Sequence, residues 1–182
     1  MPKAVAVDVI ISPVNAIVSP IAPDPQSPHG AAGPQTIVSR EMAQVDQVIR
    51  DRLTSDVVLI GQISEYIIQS GGKRVRPALL LMVSGAMSAH LQKTGAPAVN
   101  LSTDHAATMA AVVEFIHTAT LLHDDVVDES GLRRGRPTAN VLFGNAASVL
   151  VGDFLYSRAF QMMVEVRSAD VMAVMADRKS VV

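Results

Sequence analysis

Seven of the ten prolines in this 182-residue chain fall within residues 1–36: Pro2, Pro13, Pro20, Pro23, Pro25, Pro28 and Pro34. None falls between Ile37 and Arg76. Proline lacks a backbone N–H and clashes in a helix interior, so residues 1–36 are expected to be a disordered Pro/Ala-rich tail. The folded part is expected to begin at Ile37.

Beyond that point the apolar residues recur at helical spacing. In VSREMAQVDQVIRDRL they are Val38, Met42, Val45, Val48, Ile49 and Leu53, one face of a helix. A second helix is predicted over Leu59–Ser70, stopped by Gly71-Gly72. A third opens at Arg76-Pro77, because a first-turn proline gives up an N–H that has no helical partner anyway. Thr94–Pro97 reads as a loop. A fourth helix is predicted from about Thr103 to Asp128, then a turn at GLRRGRP, then a last helix from near Asn145. Strand alternation is absent. Aromatics make up 3% of the chain and tryptophan is missing, so the apolar share is Ala, Val, Leu, Ile and Met, a mix that favours helix on helix. The expected fold class is all-α, an antiparallel helical bundle with short connections.

Composition also excludes some functions. The net charge of −2 gives no global electrostatic case for nucleic acid. With no cysteine there are no disulfides and no thiolate metal sites. No uncharged apolar run of bilayer length stands out, so no transmembrane segment is expected. The opening MPKAVAVDVIISP makes a poor signal peptide, and a cytoplasmic protein is the default.

The chemistry concentrates in LLHDDVVDESGLRRGRPTAN, residues 121–140. Asp124 and Asp128, at i and i+4, share a helix face, with Asp125 beside them at the rim. His117 is seven residues before Asp124, two turns up the same face. Like charges at this spacing repel, and three carboxylates at a helix C-terminus also oppose its dipole. A cation relieves both, and Mg²⁺ suits one or two carboxylates together with phosphate oxygens. Asp124 and Asp128 are the candidate ligands. Two basic groups stand nearby. GGKRVRP puts Lys73 and Arg76 at a helix N-terminus, where backbone amides favour anions. Arg133 and Arg134 follow the aspartates, and a guanidinium matches phosphate oxygens in a fork. Metal-binding acids beside phosphate-binding bases read as a diphosphate site, with Mg²⁺ stabilising the group that departs when a carbon–oxygen bond ionises.

These residues resemble the trans-isoprenyl diphosphate synthases. GGKRVRP is similar to that family's isopentenyl diphosphate loop, and HDDVVDESGLRRGRPTAN to its first aspartate-rich motif. FGNAASVLVGDFLYSRAFQMM is most similar to the bacterial octaprenyl diphosphate synthases within it. The resemblance implies that Lys73, Arg76, His117 and Arg134 hold the diphosphate of isopentenyl diphosphate and that Arg133 contacts the allylic prenyl diphosphate. It implies that Asp124 and Asp128 bind Mg²⁺, with Asp125 in support of these catalytic carboxylates. The reaction implied is head-to-tail 1′–4 condensation, for quinone side chains, by a homodimer of the isoprenyl synthase type of bundle. Ala119 and Thr120, about a turn before Asp124, are the expected chain-length positions, and the small Ala119 implies a long product.

The family pattern also includes a second aspartate-rich motif. After Asp128 only Asp153, Asp170 and Asp177 occur, each isolated. The chain is therefore expected to be an N-terminal fragment, residues 37–177 being part of the helical domain, and to be inactive alone. Its last residues, DRKSVV, depart from the family and coincide with one reading frame of a common sequencing adapter, so residues 178–182 are expected to be non-native. Two rival readings use the same acids. A class I terpene cyclase fragment needs no isopentenyl loop and so leaves GGKRVRP without a purpose. A non-catalytic partner subunit of an active synthase accommodates the missing second motif.

Overall fold

The computed structural model describes residues 38–69, 73–95 and 103–176. The expected tail over 1–36, the glycines of GGKRVRP, most of the loop after Thr94 and the adapter-like end lie outside the described residues. Among the described residues the regular structure is helical except for one hairpin. The elements are α1 (Ser39–Leu53), α2 (Val58–Gln69), α3 (Val75–Thr94), α4 (Thr103–Val127), β1 (Leu132–Arg133), β2 (Arg136–Pro137), α5 (Ala139–Phe143), α6 (Asn145–Glu165) and α7 (Ala169–Ala176).

Each helix follows its apolar spacing. α1 buries Met42, Val45, Ile49 and Leu53, and its last turn carries Arg50 and Arg52, which complement the negative end of the dipole. Arg52 is forked onto Glu165 at the far end of α6, with Nη1 donating to Oε1 at 2.7 Å. α3 has Pro77 in its first turn and ends on Gly95 in the left-handed region.

α4 is the centre of the fold. It packs on α1, α3, α5 and α6, most extensively on α6. Small residues allow that approach: Ala107, Ala111 and Ala119 on α4 and Ser148, Gly152 and Ala159 on α6 are all buried. The buried Ser148 hydroxyl donates to the Leu122 carbonyl at 3.2 Å, which gives this buried polar group its partner across the α4–α6 contact. This central position qualifies the expectation about membranes. His105–Val127, with mean hydropathy 1.2, is long and apolar enough to cross a bilayer by length and composition. Here those apolar residues cover the neighbouring helices.

Three elements differ from the sequence reading. The turn at GLRRGRP is a two-stranded antiparallel hairpin, with Leu132 opposite Pro137 and Arg133 opposite Arg136. Arg134 and Gly135 both have positive φ (54° and 76°), as a two-residue type I′ turn requires. The short α5 and the terminal α7 were not anticipated, being too brief for a periodic signal.

Candidate diphosphate site

A cavity of 820 Å³ lies between the N-terminal end of α3, one face of α4, the hairpin and the apolar faces of α1 and α2. Lys73, Arg74 and Arg76 enter from the start of α3, and Arg133, Arg134 and Arg136 from the hairpin. Facing these six cations are two carboxylates, Glu114 and Asp125. The positive excess, at a helix N-terminus with no acidic residue in its first turn, favours an anion. The lining also includes the apolar side chains of Ile49, Leu53, Phe115, Leu122 and Leu155.

The cavity face of α4 is Glu114, Thr118, Leu121 and Asp125, spaced by four, three and four residues. His117 lies on one flank of this face and also lines the cavity. Its imidazole is held below its ordinary value of 6.5 by burial first, then by the charges of Arg76, Arg134 and Arg133, while Asp124 opposes them. It is therefore a neutral ring at pH 7, able to donate one N–H.

Five of the anticipated residues, Lys73, Arg76, His117, Arg133 and Arg134, thus come together on one cavity, with Asp125. Asp124 and Asp128 do not line it; both are exposed at its edge, beyond His117. Asp128 lies just past the end of α4, yet its N–H still donates to the Asp124 carbonyl at 2.7 Å, so helical spacing is kept. Both carboxylates are close enough to help hold the Arg133 guanidinium in its charged form, after the dominant hydrogen bond that it donates to Asp125.

Asp125 is a correction. It is not at the rim but 3% exposed, and it accepts from Arg133 Nε at 3.1 and 3.2 Å and from Nη2 at 2.7 Å. The hairpin folds back over the end of α4 and covers it. Ala119 and Thr120 are not on the cavity wall either. Ala119 is fully buried in the core, about 140° around the helix from Asp124. The Thr120 hydroxyl turns back onto the His117 carbonyl at 2.7 Å.

Several lining residues were missed: Ser64, Tyr66, Arg74, Glu114 and Arg136. Tyr66 donates its hydroxyl to the Pro137 carbonyl at 2.5 Å, tying α2 to the second strand of the hairpin. Arg136 could have been found, since directly opposed residues of a hairpin emerge on one face and its partner is Arg133. Arg74 carries positive φ (44°) and pairs with Asp46 at 3.6 Å, which no sequence signal announces.

The described residues thus form a helical core with a cavity whose cations outnumber its carboxylates, and Asp124 and Asp128 are exposed at the end of the central helix. Residues 57–181 match the polyprenyl synthetase family, and the chain belongs to that family. It is 49% identical over 146 residues to octaprenyl diphosphate synthase of Escherichia coli, covering 80% of this chain and 42% of that protein. It is 46% identical over 128 residues to the geranyl-diphosphate-specific all-trans-nonaprenyl-diphosphate synthase of Rhodobacter capsulatus, covering 70% of this chain and 36% of the relative. Among solved structures it superposes on a polyprenyl synthase from Caulobacter crescentus complexed with calcium and isoprenyl diphosphate. The TM-score is 0.67 and the identity 43%, over 79% of this chain and 40% of the other. The chain therefore spans about two fifths of the length of the curated relatives it matches.

Proposed function

We propose that the cavity binds the substrates of a polyprenyl diphosphate synthase of octaprenyl type, which adds isopentenyl diphosphate to an allylic prenyl diphosphate by 1′–4 condensation, for the side chain of a quinone. The observation that carries this reading is the convergence of cations from two distant segments, the start of α3 and the hairpin, on one face of α4. Lys73, Arg76 and Arg134 hold the isopentenyl diphosphate, and neutral His117 donates an N–H to it. Arg133, locked by Asp125, faces the allylic diphosphate. The allylic carbon–oxygen bond breaks, the isopentenyl double bond attacks the allylic carbon, and a proton leaves.

The acids fit a divalent cation of the Mg²⁺ kind. Among the described residues no three of His, Asp or Glu gather into a protein-only metal cage. Two exposed carboxylates at i and i+4 are the donor set of an ion that completes its shell with water and substrate phosphate. Asp124 and Asp128 are the residues to hold it. When bound, the ion supplies Lewis acidity to the departing diphosphate.

The octaprenyl reading is supported by the 49% identity to the Escherichia coli enzyme. A homodimer of the longer protein, located in the cytoplasm, is part of the proposal. The outward face of α6, with exposed Leu150, Phe160 and Val164, supports such pairing. With one DDxxD in its sequence, the 182-residue chain binds without turning over. Equilibrium dialysis with labelled isopentenyl diphosphate tests this. Retention by the wild-type chain and its loss in Lys73→Ala/Arg76→Ala is the expected result; equal retention by both contradicts it.

A further inference from the structure

The acids and bases of the site belong to different elements, and the backbone between them, residues 126–131, is closed by side chains from beyond the hairpin. The Asp125 carbonyl accepts from the Ser130 N–H at 2.9 Å and from Asn140 Nδ2 at 3.1 Å. The Ser130 carbonyl accepts from the Thr138 hydroxyl at 2.6 Å and from the same Asn140 nitrogen at 3.3 Å. Thr138 is 2% exposed, and its N–H donates to the Gly131 carbonyl at 3.2 Å.

Asn140 thus spends both of its N–H donors on two main-chain carbonyls that bracket the loop. Its own Oδ1 is buried with no hydrogen-bond partner among the described residues. Leaving a buried acceptor unmet is unfavourable, and an aspartate would set carboxylate oxygens against both carbonyls. The donors are therefore what the position requires. The loop they close holds Glu129 at positive φ (49°), a conformation that relaxes unless its surroundings fix it.

We infer that Asn140 and Thr138 are positioning residues that clamp this loop and so fix the Asp128 carboxylate relative to the Arg133 guanidinium. The inference rests on the diphosphate reading of the site. It assigns the clamp a specific consequence: the metal-dependent part of diphosphate binding depends on it, whereas the part due to Lys73 and Arg76, on another element, does not.

The test is calorimetric titration of the 182-residue chain with inorganic pyrophosphate, with and without Mg²⁺. In Asn140→Ala the Mg²⁺-dependent affinity is expected to fall about tenfold, with metal-free affinity changed by less than about twofold. Thr138→Val, which keeps the side-chain shape, is expected to move the same quantity in the same direction, and Thr138→Ser to restore it. It also carries the test should Asn140→Ala not fold. Equal losses with and without metal, or no loss in either, overturn the inference. If the wild-type chain binds no pyrophosphate, the function reading fails and the clamp is judged by amide hydrogen exchange. Faster exchange at Ser130 and Thr138 in Asn140→Ala then supports the clamp, and unchanged exchange overturns it.

Discussion

Arg133 and Asp125 form a forked ion pair, with Nη2 2.7 Å from Oδ1 and Nε within 3.2 Å of both carboxylate oxygens. The pair joins the last turn of α4 to the first strand of the hairpin. The Asp125 side chain is 5% exposed and that of Arg133 is 40% exposed. Replacing Arg133 with Ala strands a buried carboxylate. The expected loss is about 2 kcal/mol, below that of a fully buried pair because Arg133 is partly in water. Arg133→Lys should recover only part of it, since an ammonium cannot reproduce the fork. Urea unfolding of the three proteins reads this. A stability of Arg133→Ala equal to wild type would contradict the arrangement.

The second strand has its own tie. Tyr66→Phe removes only the hydroxyl that reaches the Pro137 carbonyl and leaves the edge-on contact with Phe143 (5.9 Å) in place. About 1 kcal/mol of stability should be lost, with amide exchange in residues 132–137 rising more than elsewhere. A uniform rise across the helices would mean that the tie is not local.

Gly152 is set against the His123 ring. A methyl group there would overlap the imidazole, which is stacked on Tyr156 at 6.2 Å and reaches the Val149 carbonyl at 3.3 Å. Gly152→Ala should cost about 1–3 kcal/mol as the ring is displaced. A thermal melt indistinguishable from wild type would show that His123 moves aside freely.

His117 sets the pH dependence. Its folded value lies below 6.5, through burial and the neighbouring arginines. A group held neutral in this way contributes stability that is fully present above pH 6.5 and is lost as the pH falls through the unfolded and then the folded value. A bound diphosphate reverses the electrostatics and draws a proton onto the ring. Pyrophosphate binding near pH 6 should therefore take up more protons in the wild-type chain than in His117→Gln, measured as a difference in how the calorimetric enthalpy depends on buffer ionisation; protons released by the ligand itself are common to both chains. An equal dependence in the two chains would assign the proton to another group.

How far the sequence foretold this site varies by residue. The spacing of Met42, Val45, Ile49 and Leu53 is enough to draw α1, and the placing of Lys73 and Arg76 followed from Pro77 opening a helix. His117 and Asp124, seven residues apart, could be put on one face by counting. Asp125 could not be placed by counting, because its burial depends on a hairpin returning over it. Ala119, by contrast, is placed by counting: five residues set it about 140° round the helix from Asp124, and there it is buried in the core. Glu114 was legible in principle, since it shares its face with Thr118, Leu121 and Asp125, but nothing local distinguishes it from a solvated glutamate. The hairpin's register, which brings Arg136 beside Arg133, hides in a turn that Arg134 enters at positive φ despite carrying a side chain.

The central claim is that Asp124 and Asp128 recruit a divalent cation to a diphosphate held by the cationic cavity. Its most direct measurement is the affinity of the wild-type chain and of Asp124→Asn/Asp128→Asn for pyrophosphate, across a Mg²⁺ titration. The account predicts that Mg²⁺ strengthens binding to the wild-type chain and leaves the doubly substituted chain unaffected. Equal strengthening in both would contradict it, and would move the metal site away from the end of α4.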